Sequence, residues 1–348
     1  MIAFVHPSAA ACSASDLRAL GYDVRVKETP VNATEIRGEF LRRTIQVRGC
    51  CQEKELLKLY AYTLTDYPVA VHLDVDSILL RPLDDLFDAM IGGGDAAEAA
   101  RRLAVHGGAA LPENGPVNFF FTRDYNLVNK PGKPAGIQGG FMAVRPSVEV
   151  YEEYRGIVLQ GDHYPGSGWG RKGHGGYYGA QQIQGLCAYY YDHVHPGTAV
   201  ELDRCRYNQM VDDPRFGRGV KAEPSAGMAG GAFPCRDGRD ECEDCRTTPL
   251  GKIRSAHFTI CQKPWTCRYF GEKSAGDTHG RLCDELHGEW HRIRSDLEEM
   301  WRQDGRDTIR VGEVQDGDYR LDHFRGHCSR AGGRGYIPLK IPTTVGLP

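Results

Sequence analysis

The sequence predicts an α/β protein, and three observations carry that expectation. Short apolar runs alternate with helical patterns over residues 1–90. A second unit pairs an apolar run at Gly139–Val144 with a helical one at 146–159. Within the first stretch, Val69–Asp76 alternates with period two and ends on paired carboxylates. Ligands of α/β sheets gather at such strand ends.

The elements follow in order. Met1–Val5 reads as a short buried strand stopped by His6-Pro7. A helix is expected at Ser15–Leu20, with Ser15 or Asp16 as its cap, and a strand at Asp23–Val26. A chain that opens inside a strand either starts its domain there or lacks residues before it. Residues 91–136, rich in Gly, Ala, Pro and Asn, read as a long excursion. Pro146 takes a first-turn position in the helix at 146–159. Residues 161–179 hold eight Gly and the pair Tyr177-Tyr178, and read as an ordered loop beside a site or a lid. Leu282, Leu286, Trp290, Ile293, Leu297 and Trp301 recur every three or four residues, which predicts an amphipathic helix. The tail after Gly332 reads as irregular.

Composition excludes several classes. The 348 residues carry 43 Lys+Arg against 46 Asp+Glu, a net charge of −3. That balance excludes a simple electrostatic nucleic-acid binder. Hydrophobic residues at 41% are too many for a disordered chain. No apolar run approaches the ~20 residues of a membrane span. No basic stretch precedes an apolar one at the amino terminus, so no signal peptide is expected. Gly reaches 43, about 12% of the chain, which suggests many loops or backbone brought close to a ligand.

Val69, Val71, Leu73 and Val75 share one strand face, and Ala70, His72, Asp74 and Asp76 the other. Two carboxylates on one side suit a hard divalent cation. The alternative is a solvated strand end that caps the next segment. A second Asp-x-Asp at Asp316-Gly317-Asp318 reads as a turn.

The surroundings of the pair are more specific. Lys58-Leu59-Tyr60-Ala61-Tyr62, His72-Leu73-Asp74-Val75-Asp76-Ser77 and Pro82-Leu83-Asp84-Asp85-Leu86-Phe87 together resemble glycogenin and its relatives, the family-eight glycosyltransferases. Gly139-Gly140-Phe141-Met142 through Arg145-Pro146 is similar to that family's next block. His257-Phe258 with Lys263-Pro264-Trp265 is similar to its last. The resemblance implies a GT-A fold, a Rossmann-like mixed sheet flanked by helices. It implies retaining transfer of a hexose from a UDP-sugar to an acceptor it does not name. It places Mn2+ on Asp74, Asp76 and His257. The donor would be bound by Lys58, Asp74, Val75, Asp76, Gln138, Gly139, His257 and Lys263, with Lys263 on the diphosphate.

The chain departs from the family at several places. Gln138 stands before Gly139 where the family has Asn-Ser. The acidic block is degraded to Gly179-Ala180-Gln181-Gln182-Ile183. Gln181 and Gln182 are then the candidate catalytic residues, or they start a helix. The family's first strand and nucleobase loop have no counterpart. A catalytically inactive nucleotide-sugar-binding protein of the same fold is therefore the alternative.

The resemblance divides the chain into a GT-A domain at 1–270, a Cys-rich insertion at about 230–267, and an extension at 271–348. Twelve Cys leave three readings open: disulfides in a secretory lumen, zinc on Cys242, Cys245 and two others, or reduced thiols in the cytoplasm. The sequon Asn32-Ala33-Thr34 fits the first. The expected location is the Golgi or secretory lumen, with the cytoplasm as the alternative.

Overall fold

The computed structural model describes residues 1–92, 95–105, 117–130, 132–217, 233–269, 278–305, 321–329 and 335–339. The protein is α/β. Its first unit is β1 (Ile2–Val5), α1 (Pro7–Ala19) and β2 (Asp23–Val26), with β1 and β2 parallel. Then come α2 (Glu39–Thr44), a 3-10 segment (Gln52–Thr63), β3 (Ala70–Leu73), β4 (Ser77–Leu79), α3 (Asp84–Ile91) and α4 (Ala96–Leu103). The centre holds β5 (Phe119–Arg123), β6 (Ile137–Val144), α5 (Val148–Gln160), the hairpin β7 (His163–Tyr164) and β8 (Gly168–Trp169), α6 (Ile183–Tyr189) and β9 (Ala199–Glu201). Last are β10 (Ser255–His257), α7 (Thr278–Gln303) and α8 (Leu321–Phe324).

The main sheet runs β3-β6-β5-β9, with β6 antiparallel to both neighbours and β9 parallel to β5. Every residue of β6 is buried. Ile137, Met142 and Val144 join one core with Phe119, Phe121, Tyr154 and Trp169. Phe141 and Ala143 join the other with Phe120, Leu86 and Val200. A sheet covered on both faces needs such a continuous apolar strand. Each buried aromatic or aliphatic side chain there contributes roughly 1.5–3 kcal/mol.

Several expectations change in detail. The first helix begins at Pro7, well before Ser15, with His6 Nδ1 accepting from the Ser8 amide at 3.2 Å. Pro7 ends the strand and opens the helix in one step, because its fixed φ suits the first helical position. The second helix begins at Val148, after Pro146. Ser147 is its cap, its Oγ accepting from the Val150 amide at 3.3 Å. Gly161, at φ 68°, ends it. The expected strand to Asp76 stops at Leu73. Val69, Val71 and Leu73 do pack together against one core, but Val75 is 97% exposed on the turn that follows. The 91–136 region contains α4 and β5. Residues 161–179 carry the short β7–β8 hairpin.

The cysteines resolve into four disulfides: Cys205–Cys245, Cys235–Cys242, Cys261–Cys283 and Cys267–Cys328. Cys242 and Cys245 therefore pair with different partners, which overturns the zinc reading. Helix α7 shares a core with the strands below it. Leu282, Cys283 and Leu286 pack with Ile78, Ala256 and Phe258. Its buried face also carries polar groups: His291 Nδ1 lies 3.3 Å from His327 Nδ1, and Arg294 Nε donates to Glu298 Oε1 at 2.9 Å. Leu282, Leu286 and Trp301 are buried as the periodicity predicts, while Ile293 is exposed. Asp316-Gly317-Asp318 and most of the tail after Gly332 lie outside the described residues. Among the described residues no helix is long and apolar enough to cross a membrane.

Candidate metal centre

Two strand pairings build the site. Leu73 pairs with Phe141 across β3 and β6, and the next amide, that of Asp74, donates to the Gly140 carbonyl at 3.0 Å. The chain turns there, with the Ser77 amide on the Asp74 carbonyl at 3.0 Å. Strand β4 then runs antiparallel to β10 with Ser77 opposite His257. The Phe258 amide donates to the Asp76 carbonyl at 2.9 Å, which fixes the register at the site. Donor atoms of Asp74, Asp76 and His257 all fall within 4.8 Å of one another. His257 Nε2 lies 3.1 Å from Asp76 Oδ1 and 3.9 Å from Asp74 Oδ2.

Each carboxylate also has a lysine. Lys58 Nζ, on the 3-10 segment, lies 2.8 Å from Asp74 Oδ1 and donates to the Gly139 carbonyl at 3.0 Å. Lys263 contacts the Asp76 carboxylate and the Phe258 carbonyl. Glu55 sits 3.9 Å from Lys58, and His72 Nε2 lies 3.3 Å from Asp74 Oδ1. Burial works against the charge on both carboxylates, but the neighbours outweigh it. The His72 hydrogen bond and the Lys58 charge hold Asp74 well below the usual range. His257 and Lys263 lower Asp76 to about 2. Burial raises Glu55 and lowers His72. Burial also works against the Lys58 charge, but Asp74 and Glu55 raise its pKa. The result is a dense arrangement of charge at a strand edge, with both carboxylates held on the acidic side of their ordinary range.

Gln138 turns inward. Its Oε1 accepts from the Gly140 amide and from Asn208 Nδ2, the latter at 3.3 Å. Asn208 also donates to Thr122 Oγ1 at 3.0 Å and carries φ 55°. Gly139 gives close approach: a Cβ there would meet Ile183 Cγ2 at 3.2 Å and Lys58 Nζ at 3.4 Å. The two glutamines at the start of α6 point elsewhere. Gln181 Nε2 donates to Thr44 Oγ1 at 2.8 Å, and Gln182 Nε2 to the Arg48 carbonyl at 2.9 Å. Val75 stands between Asp74 and Asp76 with its side chain in solvent.

Lys58, Asp74, Asp76, Gly139, His257 and Lys263 thus come together, with Gln138 beneath them. Sequence reasoning missed Glu55 and Asn208. Glu55 sits three residues before Lys58, a helical spacing that puts both on one side. Asn208 has no sequence signal beyond the tolerance of Asn for left-handed φ.

No family model and no curated protein matches the chain. Among solved structures it is similar to mouse xyloside xylosyltransferase 1 in its apo form. That match has a TM-score of 0.37 and 13% identity, over 74% of this chain and 84% of that one. It is also similar to the apo structure of the bifunctional glycosyltransferase WbbM. Here the TM-score is 0.33 and the identity 11%, over 76% of this chain and 46% of that one.

Proposed function

We propose that this chain is a glycosyltransferase that moves a hexose from a UDP-sugar to an acceptor with retention, using Mn2+. The observation that carries the reading is the convergence of Asp74, Asp76 and His257, two segments far apart in sequence, on one point. Their chemistry fits the cation. Two carboxylates suit a hard ion, and a neutral imidazole is accepted by Mn2+ more readily than by Mg2+ or Ca2+. Bound there, the cation would neutralise charge on the departing diphosphate.

The other residues take roles from their positions. Lys263 is the more exposed of the two lysines and supplies a point charge for the diphosphate. Lys58 is spent on Asp74 and Gly139, so it holds a ligand in place. Val75 and Gly139 offer backbone to the donor. Gln138 keeps its amide N–H groups for a sugar hydroxyl, since Oε1 is already used. Gln138, Gln181 and Gln182 are amides and poor nucleophiles. We therefore favour front-face displacement, in which the donor's own phosphate takes the acceptor proton. To take the sugar-facing place, Gln181 and Gln182 would have to turn from Thr44 and Arg48.

A second reading has its own support. Both candidate catalytic glutamines are tied to the 44–48 segment, as in a donor-binding protein that performs no transfer. The four disulfides are consistent with an oxidising secretory lumen for either reading. Titration of UDP with and without Mn2+, followed by assays of UDP-glucose and UDP-galactose hydrolysis, separates them. Mn2+-dependent binding with turnover supports the enzyme. Binding without turnover supports the second reading, and no Mn2+-dependent binding sinks both.

A further inference from the structure

Eight cysteines are bridged and Cys187 is buried, which leaves Cys12, Cys50 and Cys51 exposed. Cys50 and Cys51 are adjacent, and their sulfurs lie 3.4 Å apart with the Cys51 thiol directed at Cys50. The turn around them is conformationally tight. Gly49 has φ 83°, and the next residue after the pair, Gln52, has φ 57°. A Cβ at Gly49 would meet the Gln182 side chain at 2.8 Å. The Lys54 amide donates to the Cys51 carbonyl at 3.1 Å and so starts the 3-10 segment that carries Glu55 and Lys58. The two sulfurs therefore stand at the start of the segment whose Lys58 reaches Asp74.

We infer that Cys50-Cys51 is a modification site for thiol–disulfide exchange with low-molecular-weight disulfides, closing to an eight-membered ring that loosens the start of the 3-10 segment. The chemistry balances. The Cys50 thiolate attacks a disulfide RSSR, forming a mixed disulfide and releasing one thiol. The Cys51 thiolate then attacks the Cys50 sulfur, forming the ring bond and expelling the second thiol. Two electrons pass from the cysteines to RSSR, and two protons go to the released thiols. Burial and the hydrogen bond to Cys50 push the Cys51 thiol up to about 11, so the first attack falls to Cys50.

Sequence adjacency makes the ring a reversible mark and not a fifth structural bridge. Neighbouring Cα atoms lie about 3.8 Å apart across a trans peptide, well under the 4.4–6.8 Å that disulfides usually span. Strained, exposed bridges are the readily reduced ones. The ring also pulls on the Cys51 carbonyl, the acceptor that starts the 3-10 segment. The importance of that segment for a donor rests on the reading of the metal centre; the ring closure does not.

The test treats the folded protein with glutathione disulfide and maps thiols by mass spectrometry, with hydrogen exchange measured on the same samples. The peptide holding Cys50 and Cys51 should lose two hydrogens and retain no glutathione. Cys12, exposed and without a close thiol partner, should retain one glutathione and serves as the internal control. Cys51→Ser should trap one glutathione on Cys50. Amide exchange over residues 52–58 should quicken several-fold on closure and recover with dithiothreitol. Retained glutathione on Cys50 in the unaltered chain, or no reaction there while Cys12 reacts, overturns the site. Ring closure with unchanged exchange overturns the coupling. Neither readout uses UDP, so failure of the donor reading would show separately, in the UDP titration.

Discussion

The His257 imidazole occupies the space that Gly140 leaves open: a Cβ at position 140 would lie 2.3 Å from its Cε1 and 2.5 Å from its Nδ1. The ring is 4% exposed in a short strand, so it cannot swing aside as a long surface side chain could. Gly140→Ala should therefore displace the His257 imidazole and leave the sheet intact. Overpacking of this kind costs about 1–3 kcal/mol. The expected result is a modest fall in unfolding temperature with loss of Mn2+-dependent UDP binding. Normal binding in that variant would show that His257 is not a ligand.

Asp76→Asn should abolish Mn2+-dependent binding while the far-ultraviolet circular dichroism stays unchanged. The amide keeps the shape and removes the charge that His257 and Lys263 both face. Unaltered Mn2+ dependence in calorimetry would exclude Asp76 from the centre.

Lys263→Ala should separate nucleotide from metal. UDP affinity is expected to fall about tenfold, the scale of one charge-assisted hydrogen bond lost from a binding site. Uridine affinity should be unchanged, because uridine carries no diphosphate. Equal losses for UDP and uridine would place Lys263 away from the phosphates.

The polar face of α7 makes an acid-sensitive joint. Burial, aided by the charges of His327, His287 and Arg294, lowers His291 from 6.5 to about 3. A histidine with a lowered folded pKa is protonated more readily in the unfolded chain, so stability falls as pH drops from about 6.5 towards 3. His291→Phe should flatten the unfolding temperature over that window. A profile as steep as that of the unaltered protein would assign the acid response to another group.

Cys267–Cys328 ties the residues after α8 to the segment that follows Lys263, across a sequence separation of 61. Removing it by a paired Ser substitution should cost about 3 kcal/mol. Limited proteolysis should then cut near residues 321–329 first. Unchanged thermal unfolding and an unchanged digestion pattern would mean that the bridge holds nothing in place.

Much of the site could be read from the residues. The period-two run put His72, Asp74 and Asp76 on one side, and in the structure His72 and Asp76 each lie close to Asp74. The run did not reveal where the strand breaks, because Val75 is as apolar as Val71, and only pairing with β6 decides which packs against the core. Pro7 and Pro146 show a similar ambiguity. One opens a helix and the other precedes a Ser cap, a difference set by the next residues' hydrogen bonds. The orientation of Gln181 and Gln182 depends on Thr44 and Arg48, far away in sequence, so no local pattern could supply it. Disulfide partners are invisible for the same reason.

The two halves of the metal centre stand far apart in synthesis order, with Lys263 and Asp76 separated by 187 positions. During translation the carboxylates emerge long before the imidazole, and strand β4 waits unpaired for β10. Contacts so distant form late in folding. A product released before His257 is joined would carry the acidic turn yet lack the imidazole that the proposed cation site needs. On the proposed reading, cation binding would therefore report that β4 and β10 have paired, because only the paired strands bring all three groups together.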